Sequence, residues 1–112
     1  MRQDIPVAQQ IVQSNHATFG MSQQQPYEGT PSIVLIGVPD QAALLRVIGK
    51  LKANGIPHFA FHEPDFGMGL SAVATAPITG GKRAALSNYR LWRKENSYIP
   101  REEVRRETAT MQ

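Results

Sequence analysis

Apolar residues recur with helical spacing in the middle of the chain, at positions i, i+3, i+4 and i+7. The residues at these positions are Leu44, Val47, Ile48 and Leu51. This spacing is typical of the core-facing stripe of an amphipathic helix. Asp40 stands where an N-cap is expected, and Asn54-Gly55 follows the last apolar residue as a helix stop. The pattern therefore predicts a helix over residues 40–54.

A second helix is predicted over residues 4–19, with Asp4 as its cap and Gly20 as its stop. The apolar face expected to meet the core comprises Ile5, Ala8, Val12 and Phe19. Beside this face, the i, i+4 and i+7 spacing aligns a polar row of Gln9, Gln13 and His16.

Three further segments have the composition of strands. Residues 32–38 are apolar almost throughout, which indicates a strand covered on both faces. Residues 58–62 alternate, with Phe59 and Phe61 on one face, and residues 70–76 are mostly small. A turn-rich loop, residues 63–69, joins the last two strands. The order α, β, α, β, β predicts an α/β fold, a single small domain whose mixed β-sheet has helices on both faces.

The domain is predicted to span residues 1–94, with a short helix or docked segment over residues 82–93. Residues 95–112 are expected to be a weakly ordered tail that carries both basic and acidic residues. Tyr89 and Trp92 lie among arginines before this tail. They have two interpretations, stacking on nucleic-acid bases or docking the segment onto the core, and we favour docking.

Charge is distributed unevenly along the chain. Residues 1–81 carry four Lys/Arg and five Asp/Glu, whereas residues 82–112 carry eight and four, which gives the net charge of +3. A basic segment attracts polyanions such as RNA through counterion release. The candidate nucleic-acid contacts are Lys82, Arg83, Arg90 and Arg93. For the last fifteen residues we favour a solvated segment of mixed charge.

The remaining composition narrows the class of protein. The chain has no cysteine, so disulfides and thiolate metal sites are excluded. Its apolar runs are far shorter than a membrane helix needs, and Asp4 argues against a signal peptide, so we expect a soluble cytoplasmic protein. His58 and His62 would share a strand face about 13 Å apart, too far for one zinc ion. We expect neither a metal nor a cofactor.

Two stretches of sequence resemble a known family. Gln13-Ser14-Asn15-His16-Ala17 resembles the Gln-Cys-x-His-Ala signature on the first helix of class II peptidyl-tRNA hydrolases. Residues 32–77 resemble the same family's succession of apolar strand, capped helix, strand, acidic loop and small-residue strand. The resemblance covers about two-thirds of the chain, from Ile5 to Pro77.

The resemblance implies a function and a set of site residues. The family hydrolyses the ester between a peptide and the 3′ ribose of tRNA, and its small α/β domain is often dimeric. By position, the family's helix glutamine and histidine fall on Gln13 and His16. The loop aspartate falls on Glu63 or, with a shifted gap, on Asp65. The family's lysine falls on Gln9.

The chain departs from the family at two points. Gln9 has no charge, so it cannot stabilise an oxyanion as an ammonium group would. The family's fold begins with a central strand before the first helix. In this chain only residues 1–3 precede the predicted helix, too few for such a strand. We expect upstream chain, another segment of this chain or a partner chain to fill that place, because unpaired strand edges invite pairing. We also expect a homodimer or a strand-exchanging partner.

Two functions follow from the sequence. In the first, the protein hydrolyses peptidyl-tRNA, with Glu63 as the base while Gln13 and Gln9 orient water or substrate. In the second, it is a non-catalytic member of the family that binds tRNA, other RNA or a protein. The plainer interpretations of the site residues are a solvated loop carboxylate for Glu63 and a packed, hydrogen-bonded side chain for His16.

Overall fold

The computed structural model describes residues 1–98 as a small α/β domain. Its regular elements are helices α1 (Val7–Gln24) and α2 (Gln41–Ala53), strands β1 (His58–Glu63) and β2 (Gly69–Thr75), and the 3-10 segments Gly80–Leu86 and Lys94–Asn96. Within residues 1–98, neither α1 nor α2 has the combination of length and hydropathy needed to cross a membrane.

The structure confirms the helix predicted over residues 40–54, which is α2. The Asp40 carboxylate accepts a hydrogen bond from the backbone N–H of Ala43 at 2.8 Å, so Asp40 is the N-cap. Asn54 ends the helix and donates its side-chain amide to the Lys50 carbonyl. The buried residues of α2 are Ala43, Leu44, Val47, Ile48 and Leu51. They form one core cluster with Val38, Ile56 and Leu70.

Helix α1 buries a different face from the predicted one. Its buried residues are Gln10, Gln13, Ala17, Gly20 and Met21, whereas Val12 and Phe19 of the expected apolar face are exposed. The polar face can be buried because both glutamines have hydrogen-bond partners inside the protein. The helix also continues past Gly20 to Gln24, so Gly20 is not its stop. Gly20 instead lets the helix approach the ring of Phe59.

Strands β1 and β2 form an antiparallel hairpin with one irregularity. Phe61 pairs with Ala72 and His62 pairs with Leu70, so Ser71 is the extra residue of a β-bulge. Along β1, Ala60 packs against the α2 cluster, whereas Phe61 packs against a second cluster. The second cluster consists of Met1, Ile5, Ala17 and Ala72. Within residues 1–98 this hairpin is the only regular sheet, and the larger mixed sheet stays a prediction.

The strand predicted over residues 32–38 is not formed as a regular strand. Isolated bridges join Ile36 to Leu91 and Val38 to Arg2. No backbone hydrogen bond joins residues 32–34 to any other residue between 1 and 98, and Ile33 is 78% exposed. An apolar run favours burial, but a strand also needs neighbours on its edges, and here only residues 35–38 have them.

The two neighbours of residues 35–38 are the chain start and the segment after Tyr89. The Met1 amino group donates to the Ile36 carbonyl at 2.8 Å, and burial lowers the pKa of that amine to about 6. On the other edge, the Trp92 N–H donates to the Leu35 carbonyl at 2.8 Å. Tyr98 N–H donates to the Gln3 carbonyl at 2.7 Å, so residues 95–98 of the predicted tail are attached to the domain. The rest of the tail, residues 99–112, lies outside the described residues.

Tyr89 and Trp92 both pack against the core, as the docking interpretation expects. The Trp92 indole N–H donates to the Gln10 side chain at 2.7 Å, which ties the segment to α1. The Tyr89 ring lies beneath the Lys50 ammonium, 5.1 Å from the ring centroid.

Gly20 and Gly49 offer a matched pair for testing the approach of α1 to the hairpin. A Cβ at Gly20 would clash with the Phe59 ring, whereas a Cβ at Gly49 would meet nothing within 4 Å. Gly20→Ala should therefore lower the free energy of unfolding by about 1–3 kcal/mol through overpacking. Gly49→Ala should raise it by up to about 1 kcal/mol through helix propensity. Urea denaturation measures both, and equal stabilisation by the two variants would contradict the close contact.

Candidate functional site

The side-chain amide of Gln13 is buried, with 1% of the residue exposed, between α1 and the bulge of β2. Its oxygen accepts a hydrogen bond from the Ser71 hydroxyl at 2.6 Å. Its nitrogen donates to Glu63 Oε2 at 3.1 Å and lies 3.4 Å from Gln9 Oε1. We call these four side chains the amide–carboxylate cluster.

The local structure of each element accounts for this meeting. Gln9 and Gln13 are one helical turn apart, so their side chains are neighbours on the surface of α1. Glu63 is the last residue of β1 and shares a face with Phe61, because side chains two apart in a strand point the same way. The bulge at Ser71 turns its hydroxyl toward Gln13.

Hydrogen-bond chemistry fixes the orientation of the Gln13 amide. An ionised carboxylate only accepts, so the NH₂ group of Gln13 must face Glu63. The Oε1 atom then faces Ser71, whose hydroxyl supplies the matching donor. The Phe61 carbonyl is a more distant acceptor for the same hydroxyl, at 3.4 Å. Ser71 therefore holds Gln13, and Gln13 holds one oxygen of Glu63.

Glu63 keeps its second oxygen available for chemistry. The residue is partly buried, and its hydrogen bond from Gln13 goes to Oε2 alone. The ion pairs formed between residues 1 and 98 are Arg2–Asp4 and Arg93–Glu95. Within that part of the chain, no Lys, Arg or His nitrogen therefore lies within 4 Å of the Glu63 carboxylate. A carboxylate held by one neutral amide and open on its other side can accept a proton from water.

His16 and Asp65 do not join the cluster through a hydrogen bond. The imidazole of His16 is exposed and stacks on the Phe61 ring, with centroids 4.6 Å apart and planes at 18°. Asp65 is exposed, and its backbone carbonyl closes the turn by accepting from the Met68 N–H at 3.2 Å. Of the two acidic residues that match the family's loop position, the structure thus joins Glu63 to Gln13.

Ser71 is the member of the cluster that the sequence pattern did not indicate. It is a single hydroxyl in a strand of small residues, and residue type alone does not reveal the bulge that aims it. One feature of the sequence points to Ser71: a buried glutamine on α1 requires a hydrogen-bond donor, and the strand that it faces has to supply one.

The predicted nucleic-acid contacts are all exposed and lie in two places. Lys82 reaches toward the Gly55 carbonyl, 3.5 Å away, at the C-terminal end of α2, and Arg83 follows it in the chain. Arg90 and Arg93 border Leu91 and Trp92, which meet residues 35 and 36. The Arg93–Glu95 pair is exposed and 3.9 Å long, so it contributes little to stability.

A shallow groove of about 410 Å³ lies on another part of the surface, lined in part by Leu45, Ile48, Lys52, His58 and His62. The two histidines face this groove and are separate from the amide–carboxylate cluster. Within the described part of the chain, no three His, Asp or Glu side chains come together in a group able to hold a metal ion.

Comparison with known proteins adds no assignment: no family model matches the chain, and no curated protein or solved structure shows significant similarity to it.

The buried hydrogen bond of Ser71 makes a prediction about stability. Ser71→Ala leaves the Gln13 oxygen buried without its donor, so the free energy of unfolding should fall by about 1–3 kcal/mol. Ser87→Ala is the control, because the exposed Ser87 hydroxyl donates to the Ala84 carbonyl and its loss should cost under about 0.5 kcal/mol. Urea denaturation compares the two, and equal losses would show that the Ser71 contact is not a buried bond.

Proposed function

We propose that the protein is peptidyl-tRNA hydrolase-like and cleaves the ester between a peptide and the 3′ ribose of tRNA. The observation that carries the proposal is the 3.1 Å contact between Gln13 on α1 and Glu63 after β1. The family resemblance predicts these two residues for one site from widely separated parts of the chain. An arrangement of a half-buried carboxylate and an orienting amide suits water activation.

The proposed reaction uses Glu63 as a general base. The free oxygen of Glu63 takes a proton from a water molecule while the water oxygen attacks the ester carbonyl. The tetrahedral intermediate then expels the 3′ oxygen of the ribose, which receives the proton from Glu63. The products are a peptide with a free carboxyl group and tRNA with a free 3′ hydroxyl. Gln13 positions the base and, being buried, does not touch the substrate.

Gln9 is the proposed donor to the oxyanion. Its Oε1 atom faces the Gln13 amide, which leaves its NH₂ group to face outward from a partly buried position. A neutral amide stabilises a developing negative charge less than an ammonium group does, because the ammonium group adds the Coulomb attraction of a full positive charge to its hydrogen bond. Slow turnover is therefore part of the proposal.

The proposal also includes the finer features that the resemblance implies. In the proposed fold, the hairpin and residues 35–38 belong to one mixed sheet with helices on both faces. Lys82, Arg83, Arg90 and Arg93 contact the tRNA backbone, which depends on charge alone. The protein acts in the cytoplasm without a cofactor, as a homodimer or with a partner strand on the exposed edge at residues 32–34.

Glu63 and Asp65 provide a matched test of the base. Glu63→Gln keeps the acceptor for Gln13 but cannot take a proton, so peptidyl-tRNA cleavage should fall by about 100-fold or more. Asp65→Asn removes the same charge two residues away and should retain turnover within about threefold. The measurement is release of labelled peptide from purified peptidyl-tRNA.

The results also separate the competing functions. Equal losses in the two variants would reject Glu63 as the base. Absence of turnover in the unmodified protein, with tRNA still bound in a salt-sensitive manner, would favour the non-catalytic RNA-binding function. With neither turnover nor tRNA binding, the exposed apolar residues 33–35 favour a protein-interaction function through strand addition.

Gln9→Lys tests the assignment of the oxyanion donor by gain of activity. An ammonium group at this position lies near the Glu63 carboxylate and the expected oxyanion, so cleavage should accelerate about tenfold or more. Gln23→Lys is the control for added charge, since Gln23 is exposed at the far end of α1. Equal acceleration by both variants would indicate a general effect on tRNA attraction and would contradict the assignment.

A further inference from the structure

Phe66, at the turn between β1 and β2, is the feature that neither the fold nor the cluster explains. Its side chain is 82% exposed, more than any other large hydrophobic residue between 1 and 98. Its backbone has φ +61°, and it is the only non-glycine residue of the described chain with a positive φ. That conformation places Cβ close to the neighbouring carbonyl, so glycine or asparagine suits it better than an aromatic residue.

An exposed ring at a strained position contributes nothing to the core. Two neighbouring positions, 67 and 69, also have positive φ. Both are occupied by glycine, the residue that adopts this conformation most readily. Phe66 is thus the one position of this turn where the residue type opposes the backbone. Strain of this kind clusters at ligand-binding sites, where the surroundings hold it in place.

The turn that carries Phe66 is anchored on its far side. Met68 donates its N–H to the Asp65 carbonyl at 3.2 Å and packs against the second core cluster. The Arg2 guanidinium donates to the Met68 and Leu70 carbonyls, each at 2.9 Å. These contacts close the turn around Phe66 and fix the backbone that follows it at Met68 and Leu70.

Phe66 stands close to the proposed base. It is three positions after Glu63 in the chain, which limits the distance between their Cα atoms to about 10 Å. In peptidyl-tRNA the scissile ester sits on the ribose of the last nucleotide, so the base of that nucleotide lies one sugar ring from the reacting carbon. A substrate placed at Glu63 therefore brings its terminal base into reach of this turn.

The negative charges near Phe66 favour contact with the base of the nucleotide over contact with its phosphate. The carboxylates of Glu63 and Asp65 flank the turn and repel phosphate groups. The terminal base is uncharged, and its flat face stacks on an aromatic ring whatever its identity. We propose that Phe66 is the stacking platform for the 3′-terminal base of the tRNA, an inference that rests on the hydrolase function proposed above.

The experiment compares residues that keep or lose the ring. Phe66→Tyr retains an aromatic face, Phe66→Leu retains apolar bulk without one, and Phe66→Ala loses both. The probe is a hairpin RNA with the sequence of a tRNA acceptor stem and 2-aminopurine as its 3′-terminal base, whose fluorescence is quenched by stacking. Urea denaturation of each variant confirms that it is folded.

The proposal expects the unmodified protein and Phe66→Tyr to quench the probe, with Phe66→Leu and Phe66→Ala binding it about tenfold more weakly and quenching little. In the cleavage assay the same two variants should raise KM with little change in kcat. Full quenching by Phe66→Leu would overturn the proposal, since a ring is then unnecessary. Absence of quenching by the unmodified protein would overturn it too.

The two proposals fail in different ways. Quenching that depends on the ring, without turnover by the unmodified protein, supports base stacking and rejects the hydrolase function. Turnover that depends on Glu63, with KM unchanged in Phe66→Leu and Phe66→Ala, supports the hydrolase function and rejects base stacking.

Discussion

The buried amide of Gln13 is the contact on which the arrangement of this protein depends. Burial of an amide costs free energy unless both of its polar ends have hydrogen-bond partners. Ser71 supplies a donor to its oxygen, and Glu63 supplies an acceptor for its nitrogen. One helix residue thereby fixes α1 against both strands of the hairpin. The bulge of β2 carries the Ser71 hydroxyl that bonds to Gln13, and the Gln13 amide holds one oxygen of the Glu63 carboxylate.

Gln10 extends the same principle to the rest of α1. Its nitrogen donates to the Ile5 carbonyl, and its oxygen accepts from the Trp92 indole, so it links the start of the helix to the segment that follows residue 89. Besides these two glutamines, α1 buries Ala17, Gly20 and Met21, and it turns Ile11, Val12 and Phe19 toward solvent. Polar and small residues form most of the buried face of α1, whereas α2 buries an apolar stripe, so hydropathy identified the buried face of α2 and not that of α1.

The sequence predicted the local features and missed those that depend on distant partners. Periodicity identified α2 and its Asp40 cap because both follow from residues close in the chain. The resemblance predicted that Gln9, Gln13 and Glu63 belong together, and the structure brings them within hydrogen-bond distance. The strand expected at residues 32–38 and the apolar face of α1 were wrong, because burial depends on which segment lies alongside. The role of Ser71 does not follow from its residue type, because a bulge is a property of two paired strands.

The neutral side chain at position 9 changes how the proposed catalysis has to work. An ammonium group near the ester stabilises the oxyanion through its charge, whereas an amide can do so only through a well-placed hydrogen bond. The Gln13 amide holds Gln9 at one end, so position replaces part of what charge would supply. An enzyme with a weaker oxyanion donor depends more on binding energy from remote parts of the substrate. In the proposed function, the exposed ring of Phe66 and the exposed side chains of Lys82 and Arg83 supply this binding energy.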